Sequence, residues 1–210
     1  MSRLDVVKSL LRSAARAPGT QLTRWRAPGR LRERLLRFVG RRLWLSGGKL
    51  TAAVARVPEV SAVTVSSASG KLRVDASFHD GTSLLVALTP LASAFAPRGA
   101  KDLSLRAERE SAALNPRCAD IAAAIATEIA HALWGPFLRA ARDVTPRALA
   151  QRHGDVLVVD LRSVPAVRAA LRQPLFAAAI EALSLRTIEV NPGGLRLGPS
   201  LAGIDVSGDY

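Results

Sequence analysis

Residues 71–88 read KLRVDASFHDGTSLLVAL, and this stretch decides the fold class. Apolar side chains stand at every second position from Leu72 to Phe78, which is the period of a strand with one buried face. The Asp80-Gly81 pair that follows is a strong hairpin signal, because glycine accepts the positive φ that a type I′ turn requires. Apolar residues then return for a second strand. We therefore predict two antiparallel strands joined by a tight turn.

Further strand and helix patterns flank this hairpin. Strand patterns over residues 60–109 predict an antiparallel meander of four strands. An alanine-rich helix is predicted over about 118–134, followed by a buried strand at 155–160 and a helix that Pro174 interrupts. A last hairpin is predicted to turn at residues 191–194. This order predicts an α+β fold in which a curved, largely antiparallel sheet is packed by Ala-rich helices.

The positive charge of the chain is concentrated at its N-terminal end. The 210 residues carry a formal net charge of +13, and residues 1–50 contain 13 Lys and Arg against only Asp5 and Glu33. Residues 51–210 hold 17 Lys and Arg against 15 Asp and Glu, so they are nearly neutral. We therefore divide the chain into a basic amphipathic helical arm, 1–50, and a single α+β domain, 51–210.

Two basic amphipathic helices are predicted in this arm. The first ends near Pro18, and the second runs from about Arg30 to Leu45, where a Ser-Gly-Gly sequence at 46–48 ends it. In the second helix most apolar side chains fall on one side and arginines on the other. Such helices with tryptophan nearby are typical of segments that lie in a membrane interface. The residues predicted to bind a membrane or another anion are Arg12, Arg16, Trp25, Arg30, Arg34, Arg37, Arg41 and Trp44.

Two other interpretations of the arm stay open. Its apolar faces could pack on the protein's own core, which is what most amphipathic helices do, and we give this equal weight to membrane contact. An Arg-rich, acid-poor start also resembles an organelle transit peptide. We rank that lower, because the pattern continues to residue 45 without a clear cleavage region.

The sequence lacks the common enzyme motifs. It has no P-loop, no G-x-G-x-x-G, no G-x-S-x-G and no H-E-x-x-H, and its single Cys118 excludes a disulfide framework and a multi-Cys zinc site. Glu128 and His131 share one helix face, but a di-iron bundle needs two such pairs. Asp160, at a strand end, is the better single carboxylate candidate. These absences favour a non-catalytic protein, although they do not decide whether the protein is an enzyme. No catalytic residue, metal or cofactor is assigned.

The body resembles, in its layout, the tubular lipid-binding (TULIP-like) domains. The resemblance rests on the meander at 60–109 and on the helix with an isoleucine stripe, about a third of the chain, and on no specific motif. It implies binding of an acyl chain without catalysis. The predicted apolar cavity residues, taken from the strand and helix patterns of this chain, are Phe78, Ile121, Ile125, Ile129 and Leu133.

These observations favour a non-catalytic, membrane-surface-associated protein that binds lipid. The expected partner is an anionic membrane surface or lipid. The alternative is a nucleic-acid-binding protein with sequence-independent contacts through the same arm, against which stand the low aromatic content of 4% and the apolar side of the arm. An acidic protein partner is ranked below both. No apolar run suggests a signal peptide or membrane span, so we expect a cytoplasmic protein, peripheral on the inner face of the membrane.

Overall fold

The alternating stretch at residues 71–88 forms two antiparallel strands joined by a tight turn, as predicted, within a large antiparallel sheet. The computed structural model describes residues 42–91, 94–95, 100–109, 116–135, 138, 150–173, 177, 180–181 and 183–201. The strands in chain order are β1 Leu43–Ser46, β2 Val60–Ala68, β3 Lys71–Phe78, β4 Ser83–Pro90, β5 Ala94–Phe95, β6 Lys101–Arg109, β7 Ala150–His153, β8 Val156–Asp160, β9 Leu183–Asn191 and β10 Gly194–Leu201. The helices are α1 Gly47–Val54, α2 Arg117–Trp134, α3 Pro165–Leu171 and a 3₁₀ helix at Leu161–Ser163.

The large sheet has seven strands. Its main path runs β2-β3-β4-β6-β8-β7, and the short β5 pairs with β6; every pairing is antiparallel. Leu72 pairs with Leu88 and Val74 with Val86, and all four side chains are buried. This period-two burial is why the central hairpin could be predicted from the sequence. The α+β class and the antiparallel sheet are confirmed.

Helix α2 supplies the main helical layer of the core. Its isoleucine stripe is completely buried, and its many alanines let neighbouring elements approach closely. The helix contacts α1 and strands of both sheets, including β7, β8 and β1. The prediction over 118–134 is confirmed within one residue.

The second sheet has three strands, in the order β1-β10-β9. The prediction of helix as far as Leu45 is wrong, because Leu43–Ser46 forms β1. Within β1, Leu43 and Leu45 alternate with Trp44 and pair with apolar residues of β10, so sheet pairing decides between two local patterns that the sequence permits. The division into an arm, 1–50, and a domain, 51–210, stays a prediction; residue 50 lies within α1, where Leu50 and Val54 are buried.

The Ser-Gly-Gly sequence at 46–48 also behaves differently from the prediction. It was expected to end a helix, but Ser46 is the N-cap of α1. The Lys49 N–H donates to the Ser46 hydroxyl at 3.4 Å, and the Gly47 N–H donates to the Gly193 carbonyl at 2.8 Å. Serine is a favoured N-cap, so the same residues serve to start a helix. The two predicted arm helices before residue 42 lie outside the described residues.

Candidate functional site

Most of the predicted anion-binding residues lie outside the described part of the chain. Those residues stay predictions. Of the predicted set, only Trp44 lies in the described part of the chain. Those outside the described residues are Arg12, Arg16, Trp25, Arg30, Arg34, Arg37 and Arg41.

Trp44 lies on the outer face of the small sheet. It is 46% exposed and is the one large exposed hydrophobic residue among those the structure describes. The β-pairing register places Arg196 directly opposite it, and the exposed Arg42 precedes β1. Sequence analysis missed Arg196, although its position between the inward Leu195 and Leu197 was a signal that it points outward.

The predicted cavity residues all belong to the hydrophobic core. They share one buried cluster that includes α2 and the inner face of the large sheet, and none is more than 3% exposed. This burial agrees with their apolar character, and the lipid cavity stays a prediction. The residues concerned are Phe78, Ile121, Ile125, Ile129 and Leu133.

A polar cleft of about 440 Å³ lies at the N-terminal end of α2. It forms where the β3–β4 turn and the residues before β2 meet the first turn of the helix. Arg117 is its central cation, and three carboxylates surround it. The cleft is lined by Glu59, Asp80, Thr82, Pro116, Arg117, Ala119 and Asp120.

Arg117 ties the central hairpin to α2. Its Nη2 donates to Asp80 Oδ2 at 2.6 Å, and Nη1 also contacts the Thr82 hydroxyl. Its Nε lies 3.7 Å from Glu59 Oε2, and the guanidinium stacks 4.1 Å above the ring of Phe78. The Arg117 side chain is only 18% exposed. A guanidinium held by protein carboxylates in this way acts as a structural clamp rather than an open anion site.

The two aspartates of the cleft have opposite pKa shifts. Hydrogen bonds from Arg117, and then from Thr82, hold the pKa of Asp80 well below its usual range. Burial raises the pKa of Asp120, and the nearby charge of Arg117 partly opposes this. The first shift stabilises a carboxylate, and the second favours a neutral acid.

We expect Asp80→Asn to lower stability at neutral pH and to flatten its acid dependence. The folded-state pKa of Asp80 lies below its unfolded value of about 3.9, so its ion pair stabilises the fold above that pH and is lost as the pH falls further. The pKa values of Asp102 and Asp120 are raised, so their contribution to stability increases as the pH falls. This contribution is the same in both proteins. The measurement is the melting temperature of both proteins from neutral pH to about pH 3; parallel curves would contradict the prediction.

A second polar cluster surrounds a completely buried lysine. Lys101 lies on the core face of β6, and its Nζ donates to the Glu181 carbonyl oxygen at 3.4 Å. Burial lowers the pKa of Lys101, the Glu181 charge raises it, and the Arg162 charge lowers it. Arg162 Nη2 in turn lies 3.2 Å from Glu181 Oε1. The cluster links the start of β6 to the residues that precede β9.

Asp160 has a structural role at the end of β8. Its carboxylate accepts from the Arg162 N–H at 2.9 Å and from the Ser163 hydroxyl at 3.1 Å, which caps the 3₁₀ helix. It pairs across the sheet with Asp102, whose pKa is raised by burial and then by the Asp160 charge. These contacts account for Asp160 without a catalytic role.

The remaining candidates for chemistry also have structural surroundings. Glu128 Oε2 lies 3.8 Å from Arg56 Nη1, and Cys118 is buried in the first turn of α2. Within the described residues, no group of three or more His, Cys, Asp or Glu side chains could hold a metal ion. The described helices include none with the length and apolar character needed to cross a bilayer.

Comparison of the chain with protein-family models, with curated proteins and with solved structures finds no match. The resemblance in layout to tubular lipid-binding domains therefore stays a prediction.

Proposed function

We propose that this protein is a non-catalytic, membrane-surface-associated protein that binds anionic lipid through its basic N-terminal arm. The observation that carries the proposal is the segregation of charge. Residues 1–41 alone hold 11 Lys and Arg against two acidic residues, whereas residues 51–210 are nearly neutral. A charge excess confined to one segment favours an anionic partner for that segment.

The size of the arm's charge is sufficient for peripheral binding. Each Lys or Arg close to an anionic leaflet contributes on the order of 1 kcal/mol, so several suffice even after screening by salt. Arginine, which makes up 26 of the 30 basic residues, forms bidentate contacts with phosphate oxygens. Arginine outnumbers lysine along the whole chain, so the preference for arginine does not account for the position of the charge excess.

The position of the arm's end supports membrane contact over nucleic-acid contact. Residues 1–41 of the arm lead into β1, which carries the exposed Trp44. An indole ring with an N–H group suits the membrane interface. The phosphate backbone of a nucleic acid, by contrast, offers no apolar surface against which the ring could pack. The proposal includes peripheral binding at the inner face of the membrane in the cytoplasm.

The proposal extends to an acyl chain in the body. The candidate contacts are buried side chains that share one apolar cluster, namely Phe78, Ile121, Ile125, Ile129 and Leu133. Their support is this shared apolar environment, since an acyl chain is held by apolar contacts and not by hydrogen bonds.

The test is flotation of the full-length protein with vesicles. One vesicle preparation contains phosphatidylglycerol and phosphatidylcholine, and the other contains phosphatidylcholine alone; each is used at low and at high salt. We expect binding to the anionic vesicles that partly survives high salt, because apolar insertion is less sensitive to salt than charge attraction is.

The opposite result is equally clear. Absence of flotation, or flotation that high salt abolishes completely, would overturn membrane insertion. Retention of duplex DNA by the same protein, with a steep dependence on salt, would then favour the nucleic-acid alternative.

A further inference from the structure

We propose that the outer face of the β1-β10-β9 sheet is the surface of the body that contacts the membrane. Trp44 would lie at the level of the lipid headgroups, and Arg42 and Arg196 would contact lipid phosphates. This inference rests on the proposed function and adds an orientation of the body, which the arm alone does not determine.

The geometry of the small sheet places these side chains together. β1 is an edge strand, and Trp44 and Arg196 are directly paired across β1 and β10, so their side chains are neighbours on the same face. Arg196 pairs in turn with Glu189 of β9. The opposite face carries leucines that are buried in the core. The outer face is therefore available to a partner, while the inner face is not.

The exposure of Trp44 is the observation that points to an apolar partner. A tryptophan can bury as much as about 250 Å² of surface, and the exposed 46% of Trp44 forgoes its share of that stabilisation. The Trp44 ring lies beside the β9–β10 turn. A Cβ added to Gly193 in this turn would lie 3.8 Å from the ring. A ring supported on one side by a turn and open on the other can insert at shallow depth.

The charges around Trp44 complement an anionic surface. Arg42 is 53% exposed, Arg196 is exposed, and Glu189 is paired with Arg196 on the same face. The contact between Arg42 and Glu189 is long, at 3.7 Å, and both side chains are about half exposed. Such a pair is weak, so Arg42 can exchange this contact for a lipid phosphate.

The sheet face is continuous in sequence with the arm. Arg41, the last predicted anion-binding arginine of the second arm helix, precedes Trp44 by three residues, which span at most about 10 Å of extended chain. An arm that binds a bilayer therefore brings Trp44 close to the same surface. An anionic bilayer satisfies the basic arm, the exposed arginines and the apolar ring together, which is why we choose it over an acidic protein.

The test uses Trp44 as its own reporter. Trp25→Phe and Trp134→Phe leave Trp44 as the single tryptophan of the full-length protein. With phosphatidylglycerol vesicles we expect a blue shift of its emission, and stronger quenching by lipids brominated near the headgroup than by lipids brominated deep in the chain. If the loss of the buried Trp134 prevents folding, Trp25→Phe alone is used, because Trp134 is shielded from the quencher and contributes a constant background.

A binding measurement accompanies the spectra. The variant W44A/R196E is expected to lose at least about tenfold in vesicle affinity, because a basic residue near an anionic leaflet contributes on the order of 1 kcal/mol and its reversal adds repulsion. The matched control is Arg168→Glu, an exposed charge reversal on α3, which is expected to keep an affinity close to that of the unmodified protein.

The outcomes separate the two proposals. If the unmodified protein does not bind vesicles at all, the proposed function fails and this inference fails with it. If the protein binds but Trp44 emission is unchanged and W44A/R196E binds normally, the arm alone makes the contact and only the orientation is overturned. A shift in Trp44 emission together with a selective loss in W44A/R196E supports the sheet face.

Discussion

Replacement of Arg34, Arg37 and Arg41 with glutamate is expected to weaken binding to phosphatidylglycerol vesicles by at least about 100-fold. Each arginine contributes on the order of 1 kcal/mol near an anionic surface, so the loss of three amounts to about 3 kcal/mol before repulsion is counted. The three arginines recur on one side of the predicted second helix. The measurement is sedimentation or flotation across a lipid titration at low salt, together with the melting temperature.

A second triple variant provides the control. Arg73, Arg152 and Arg168 are exposed on the body, and their replacement with glutamate changes the net charge of the protein by the same amount. We expect this variant to bind vesicles much more tightly than the arm variant. Equal weakening in both would mean that net charge alone drives binding. A large fall in the melting temperature of the arm variant would mean that these arginines are structural.

Gly194→Ala is expected to destabilise the protein by at least about 3 kcal/mol, beyond the usual range for an added methyl group. A Cβ at this position would lie 2.1 Å from the Leu45 carbonyl oxygen and 3.0 Å from the Ser46 Cα. Overpacking costs about 1–3 kcal/mol where side chains can adjust, but here the obstacle is backbone. The strand β1 would have to separate from β10, and the melting temperature in thermal or denaturant unfolding reports the loss.

Gly48→Ala is the matched control for this change. Gly48 lies in α1, and a Cβ added there would meet no atom within 4 Å. Alanine is favoured over glycine in a helix by about 1 kcal/mol, so we expect Gly48→Ala to be neutral or stabilising. If Gly194→Ala were as stable as Gly48→Ala, the close pairing of β1 with β10 would be wrong.

The parts of the fold that could be predicted are those whose signals are local. Alternating apolar residues around Asp80-Gly81 predict the β3–β4 hairpin, and the isoleucine spacing predicts α2. β1 could not be predicted in this way. Its leucines at 43 and 45 fit the end of an amphipathic helix as well as a strand, and its partner β10 lies at the far end of the described chain.

The polar contacts were harder to predict for the same reason. Arg117 lies at the start of α2, whereas Asp80 and Glu59 lie on separate turns that only the folded sheet brings together. Nothing in the spacing of these residues marks them as partners. The candidate surface was predicted in part, since Trp44 was selected for its residue type, but Arg196 emerges only from the strand register.

The pairing of β1 with β10 also has a consequence for the order of events during synthesis. The three-stranded sheet cannot close until β10 has left the ribosome, because β1 pairs with β10 and not with β9. All the other described elements lie between β1 and β10 in the chain, and contacts between residues so far apart in sequence form late. Throughout most of translation, therefore, the basic arm precedes an unattached β1. In the nascent chain the arm would therefore reach the proposed anionic partner before the pairing of β1 with β10 fixes the position of Trp44.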